Sequence, residues 1–105
     1  MNWPMPEKDH PTAFIDVDHT LLMWGGPVGD VPFPLVNGPL ITRIREMKAK
    51  GWRIAVWSYG GELHAKNAVK HCGLENIVDW CCGKPTLIID DAPDRIWQRA
   101  EKQLP

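Results

Sequence analysis

Residues 14–22 read Phe14-Ile15-Asp16-Val17-Asp18-His19-Thr20-Leu21-Leu22. A short apolar run delivers two carboxylates spaced i and i+2, and a hydroxyl follows Asp16 at i+4. If 13–17 is a strand, Asp16 and Asp18 mark its carboxyl end and the chain turns at His19. Two adjacent carboxylates raise each other's pKa and are costly unless a cation holds them. Hard oxygen ligands of this kind suit Mg²⁺, and a carboxylate beside Mg²⁺ can attack a phosphoryl group.

Outward from this stretch, strand and helix signals alternate. The first dozen residues, with three prolines, predict an irregular arm, and 23–38, with three prolines and four glycines, predict a loop or small hairpin. Pro39 opens a helix at a position proline tolerates, Leu40, Ile44 and Met47 recur at helical spacing, and Gly51 closes it. A second strand is predicted over 53–57, broken by Ser58-Tyr59-Gly60-Gly61. A helix follows over 62–72, with Leu63, Ala65, Val69 and Cys72 inward and Gly73 as its stop. A weaker third strand is predicted over 77–81 and a fourth over 86–89, ending at Asp90-Asp91. Pro93 starts a last helix with Ile96, Trp97 and Ala100 facing the sheet.

Continuous apolar strands alternating with helices are the pattern of a mostly parallel sheet covered by helices. The expected fold is a minimal Rossmann-like three-layer α/β/α sandwich, one domain over 1–105. Ligands bind such sheets beyond the carboxyl ends of the strands, and there the polar residues fall: Asp16 and Asp18, Ser58, Lys84, and Asp90 with Asp91.

The bulk numbers bound the reading. The chain has 105 residues, 44% hydrophobic and 24% charged, room for one modest core. A net charge of −1 gives no global basic field for nucleic acid. No apolar run reaches the roughly 18 residues a membrane span needs, and the first residues lack a signal peptide's apolar core. Three cysteines, with Cys81 and Cys82 adjacent, do not form a disulfide framework. The expectation is a cytoplasmic protein without a membrane partner.

At this point the chain resembles the haloacid dehalogenase superfamily of Mg²⁺-dependent phosphotransferases, over residues 13–91. Four motifs match in order: Asp-x-Asp-x-Thr at Asp16, Asp18 and Thr20, a Ser after an apolar strand at Ser58, Lys84-Pro85, and the acidic pair Asp90-Asp91. Two features depart from the pattern. His19 stands where glycine is common, and only 85–89 separate Lys84 from Asp90, where many members interpose a helix.

The resemblance implies that Asp16 is the nucleophile, forming an aspartyl-phosphate, and that Asp18 is general acid and base. Thr20, Ser58 and Lys84 would bind the phosphoryl group. Asp16, Asp18, Asp90 and Asp91 would form the Mg²⁺ site. The expected activity is a phosphatase on a phosphomonoester. No cap domain fits: a helix takes about a dozen of the residues between Thr20 and Ser58, a helix and a strand fill the chain from Ser58 to Lys84, and the 23–38 loop is the only candidate for a small lid. The site should be open, and an open site suits a nucleic-acid end or nucleotide, with Trp24 and Tyr59 flanking it. The alternatives are a sugar-phosphate phosphatase, or a binding or regulatory protein that keeps the fold without turnover. A four-stranded sheet also leaves an edge or apolar face to cover, which predicts a homo-oligomer.

Blander roles stand beside these. Ser58 can cap the following helix, Lys84 can be a solvated loop lysine, Asp91 can cap the last helix, and Asp94 suits a helix start. His71, Cys72, Cys81 and Cys82 lack zinc-site spacing and read as ordinary or buried side chains. Around Gly83-Lys84-Pro85-Thr86, Pro85 blocks the helix a phosphate-binding loop requires.

Overall fold

A computed structural model describes residues 10–24 and 34–105. Most of the arm expected over 1–12 and the middle of the 23–38 loop lie outside the described residues. The elements are β1 (Thr12–Asp16), β2 (Leu22–Met23), β3 (Leu35–Val36), α1 (Gly38–Ala49), β4 (Arg53–Ser58), α2 (Glu62–His71), β5 (Trp80–Gly83) and α3 (Pro93–Arg99).

β1, β4 and β5 form a parallel sheet in the order β1-β4-β5, and β2 and β3 pair antiparallel beside it. The register sets Phe14 opposite Ala55 and Asp16 opposite Trp57, then Ala55 opposite Trp80. Residues opposite one another share a face, so two unlike surfaces result. Ala13, Ile15, Ile54, Val56, Ser58 and Cys81 look one way, while Phe14, Asp16, Ala55, Trp57 and Trp80 look the other.

Both crossover helices lie on the first face. Two right-handed crossovers taken in the same direction along a sheet put their helices on the same side. Accordingly Ile44 of α1 and Ala65, Ala68 and Val69 of α2 share one core cluster with Ile54 and Val56. This corrects the three-layer expectation. α3 makes no extensive contact with any strand, so no described helix covers the second face and the described residues form a two-layer α/β unit. Phe14 is 49% exposed and Trp80 39% on that open face. There Phe14 lies with its ring centroid 4.6 Å from that of Trp57 and 6.3 Å from that of Trp80.

The expected fourth strand does not form. Residues 86–89 pair with nothing in a ladder, and Leu87 and Ile89 are exposed. Chain length rules out a parallel fourth strand. β5 ends at Gly83 on the carboxyl edge, and a further parallel strand must start from the amino edge. That return takes about a dozen residues or more, and only Lys84 and Pro85 precede Thr86.

The expected third strand forms three residues later, over Trp80–Gly83. Ile77 and Val78 instead close a turn onto the Leu74 carbonyl. Asp79 then joins the two strands. Its backbone N–H donates to the Ile54 carbonyl at 2.8 Å, and its carboxylate accepts from the Ile54 N–H at 2.7 Å and the Lys48 ammonium at 2.8 Å. Burial works against the Asp79 charge, but Lys48 and the Ile54 amide outweigh it and hold the carboxyl below its usual value.

The helix boundaries follow the sequence signals closely. Pro39 lies in the first turn of α1, Asn37 caps it by accepting from the Leu40 N–H at 3.2 Å, and Gly51 closes it at φ +94°. α2 is followed by Gly73 at φ +68°. Leu63, expected inward, is exposed: two residues from Ala65, it falls on the far side of the buried stripe of Ala65, Ala68 and Val69. All three cysteines are free, and burial pushes the Cys72 and Cys81 thiols up. No described helix is long and apolar enough to cross a membrane.

Candidate active site

The turn after β1 is built on one carbonyl. The Val17 oxygen accepts from the N–H groups of Thr20, Leu21 and Leu22 at 3.2, 2.9 and 3.0 Å. Its tightness requires His19 at φ +60°, the left-handed region, the one such non-glycine residue among those described. Glycine reaches this region without strain, whereas His19 does so with a Cβ. Val17 and Leu21 are fully buried and pin the turn to the core. Asn37 ties it to α1, donating from Nδ2 to the Thr20 carbonyl at 3.0 Å.

The turn presents Asp16 and Asp18 at the carboxyl edge with different partners. On Asp16, Oδ1 lies 3.2 Å from the Lys84 ammonium and Oδ2 accepts from the Thr20 hydroxyl at 3.2 Å. A carboxylate offers about four lone-pair positions, so two donors leave Asp16 free to take another partner. Lys84 comes from the residue after β5, with its backbone N–H donating to the Ser58 carbonyl at 3.0 Å. It is therefore no solvated loop lysine: its side chain is 20% exposed and lies 4.5 Å from the Tyr59 ring centroid.

Asp18 is held by two side chains. Trp24 Nε1 donates to its Oδ1 at 2.8 Å, and His64 Nε2 sits 3.2 Å from Oδ1 and 3.0 Å from Oδ2. With the carboxylate ionised, His64 must carry its proton on Nε2 to donate. His64 rises from the first turn of α2, and its ring packs on Gly60. A Cβ at Gly60 would come within 3.0 Å of that ring. His64 has no motif to mark it, because α2 and the Asp18 turn are distant in sequence. The one available clue was its place just after the Gly60-Gly61 pair that ends a sheet strand.

Ser58 is 2% exposed, and its Oγ accepts from the Gly60 N–H at 2.9 Å. It shapes the turn before α2 and does not cap the helix, whose cap is Gly61. By register it belongs to the core-facing side of the sheet, whereas Asp16 belongs to the open side. Asp90 and Asp91 are not gathered with the leading carboxylates. Both are exposed before α3, and Asp90 folds back to accept from the Ala92 N–H at 2.8 Å. Among the described residues no group of three or more His, Cys, Asp or Glu is placed to hold a metal.

No family model, no curated protein and no solved structure matches the chain. The site must therefore be read from its own geometry. It combines a cation-paired carboxylate with a second carboxylate held by an imidazole and an indole, both at the carboxyl edge of a parallel sheet. The Asp16 carboxylate, with lone pairs to spare, fits Mg²⁺ held in its usual sparse manner, by one or two carboxylates with water and substrate phosphate. The site does not provide the four-carboxylate set expected from the sequence.

Proposed function

We propose that this protein is a phosphatase that hydrolyses a phosphomonoester through an aspartyl-phosphate on Asp16. The observation that carries the reading is the Lys84 ammonium 3.2 Å from Asp16 Oδ1, with the Thr20 hydroxyl on the other oxygen. A nucleophilic carboxylate approaching a phosphoryl dianion needs its orientation fixed and the joint negative charge offset, and these two donors supply both.

Asp16 attacks phosphorus as the ester P–O bond breaks, and Asp18 delivers a proton to the leaving oxygen. Water then attacks the phosphorus of the aspartyl-phosphate, Asp18 takes the water's proton, and Asp16 is released with inorganic phosphate. His64 and Trp24 orient Asp18 for both transfers. Asp16 through its carboxylate and Asp18 through its backbone carbonyl would hold Mg²⁺, which when bound supplies charge neutralisation for the phosphoryl oxygens. Lys84 contacts the same oxygens, and the edge, open among the described residues, admits substrate.

The test is turnover of an aryl phosphate with Mg²⁺ and with excess chelator, together with mass spectrometry of acid-quenched protein. Chelation should abolish turnover and Mg²⁺ restore it, with phosphate found on Asp16. Full activity in chelator, wild-type turnover by Asp16→Asn, or label on another residue would overturn the proposal.

A further inference from the structure

A cleft of about 390 Å³ opens beside Lys84, lined by Trp57, Tyr59, Lys84, Pro85 and Ile88. Its size falls in the range of small-molecule sites, about 300–1,000 Å³. Two of its five lining residues are aromatic, and Tyr59 is 85% exposed. A tyrosine ring standing in solvent at a cleft wall gains nothing from the core. The same Lys84 ammonium that reaches Asp16 Oδ1 at 3.2 Å lies 4.5 Å from the Tyr59 centroid and 5.9 Å from that of Trp57. The aromatic wall and the carboxylate are therefore bridged by one side chain, at a spacing a sugar can span.

From this juxtaposition we infer that the cleft takes the base of a nucleoside phosphate, stacked on Tyr59, while the phosphate sits at Lys84 and Asp16. Every base has a π-face, so stacking fixes the class of ligand and not the identity of the base. Lys84, already over the Tyr59 ring, moves toward the phosphate on binding and frees that ring face for the base. Pro85 and Ile88 supply apolar contact at the cleft's other side. This deepens the phosphatase reading and rests on it only for where the phosphate lies. The ligand is either a free nucleotide or the phosphorylated end of a strand, since both present the same unit.

The experiment is a calorimetric titration of Asp16→Asn protein, which stops consumption, with and without Tyr59→Ala. The probes are AMP, ribose 5-phosphate and a 5′-phosphorylated oligonucleotide. AMP should bind more tightly than ribose 5-phosphate by roughly 5- to 150-fold, the span that base–aromatic stacking covers. Tyr59→Ala should close most of that gap, and removing so exposed a ring does not threaten folding. Oligonucleotide binding tighter than AMP identifies a strand end as the source, and binding no tighter identifies the free nucleotide. Equal or undetectable binding of AMP and ribose 5-phosphate overturns the inference, as does a gap that survives Tyr59→Ala. Aryl phosphate turnover by the wild type judges the phosphatase reading separately. A protein that binds AMP through Tyr59 but turns over nothing would sink that reading and leave the base site standing.

Discussion

Gly60→Ala tests whether His64 is held against Asp18 by the shape of the turn before α2. The new methyl would lie 3.0 Å from His64 Cδ2 and Cγ and 3.2 Å from its Cβ. Cγ and Cβ sit too near the backbone to yield by a rotation of the ring tip. The imidazole must swing away, and its 3.0 and 3.2 Å contacts with Asp18 break. The His64 and Asp18 side chains are 36% and 44% exposed, so losing this pair costs about 0.2–1 kcal/mol, as for surface pairs. Gly60 has no left-handed φ to protect, so alanine also stiffens the unfolded chain, a gain of about 0.4–1 kcal/mol. The two effects nearly cancel, and a single melting curve would show little. A double-mutant cycle in urea separates them. Gly60→Ala should be more favourable by about 0.2–1 kcal/mol in a His64→Ala background than in the wild type, and the imidazole resonances of His64 should shift in the Gly60→Ala protein. The same stability change in both backgrounds, with unshifted imidazole resonances, would refute the packing argument.

Other substitutions probe the turn, the sheet and the chemistry. Asp18→Asn should slow an alkyl phosphate by about 10²–10⁴-fold but an aryl phosphate much less in the first step, measured as burst and steady-state rates; equal losses on both would remove Asp18 as the acid. Asp79→Ala should cost about 1.5–3 kcal/mol in urea unfolding, because the Ile54 N–H loses a charged acceptor. Since the folded state lowers the Asp79 pKa, that stabilisation is full above the unfolded carboxylate value of about 3.9 and fades as pH falls through the lower folded one. The gap between variant and wild type should therefore narrow below about pH 4, and a gap that widens would contradict the sign. His19→Gly relieves the φ of +60° and should stabilise by up to about 1 kcal/mol in thermal denaturation, after glycine's own entropic cost; a loss of stability would mean the side chain has an unrecognised partner.

The sequence carried the local structure well. Apolar runs located β1 and β4, and Pro39, Gly51 and Gly73 bounded the helices, because these signals act within a few residues. It also marked Asp16, Thr20 and Lys84, which the fold brings together. What it missed was non-local. His64 meets Asp18 only because α2 starts beside the β1 turn. The three-layer architecture failed because both crossovers run the same way along the sheet. Residues 86–89 have a strand's composition, but two residues after β5 cannot carry the chain back to the amino edge for a parallel strand. The short connection therefore keeps Asp90 and Asp91 from ending a parallel strand beside Asp16.

The Asp79 stitch also bears on the order in which the domain assembles. Asp79 and Ile54 are 25 residues apart, while His10 and Gly51, at the start of the β1–β4 pair, are 41 apart. Loop-closure entropy grows only as the logarithm of length, so the longer closure costs just about 0.4 kcal/mol more. Chain length therefore hardly ranks the two events, and what each closure gathers must decide. Closing β4 on β5 brings α2 down on both strands and buries Ala65, Ala68 and Val69 at once. Closing β1 on β4 leaves one edge of β1 without a strand partner among the described residues. On this reasoning residues 53–83 are expected to gather first and β1 to dock late. Mutational φ-values should be higher for Ala65→Gly than for Ile15→Val, and the reverse order would assign the nucleus to β1.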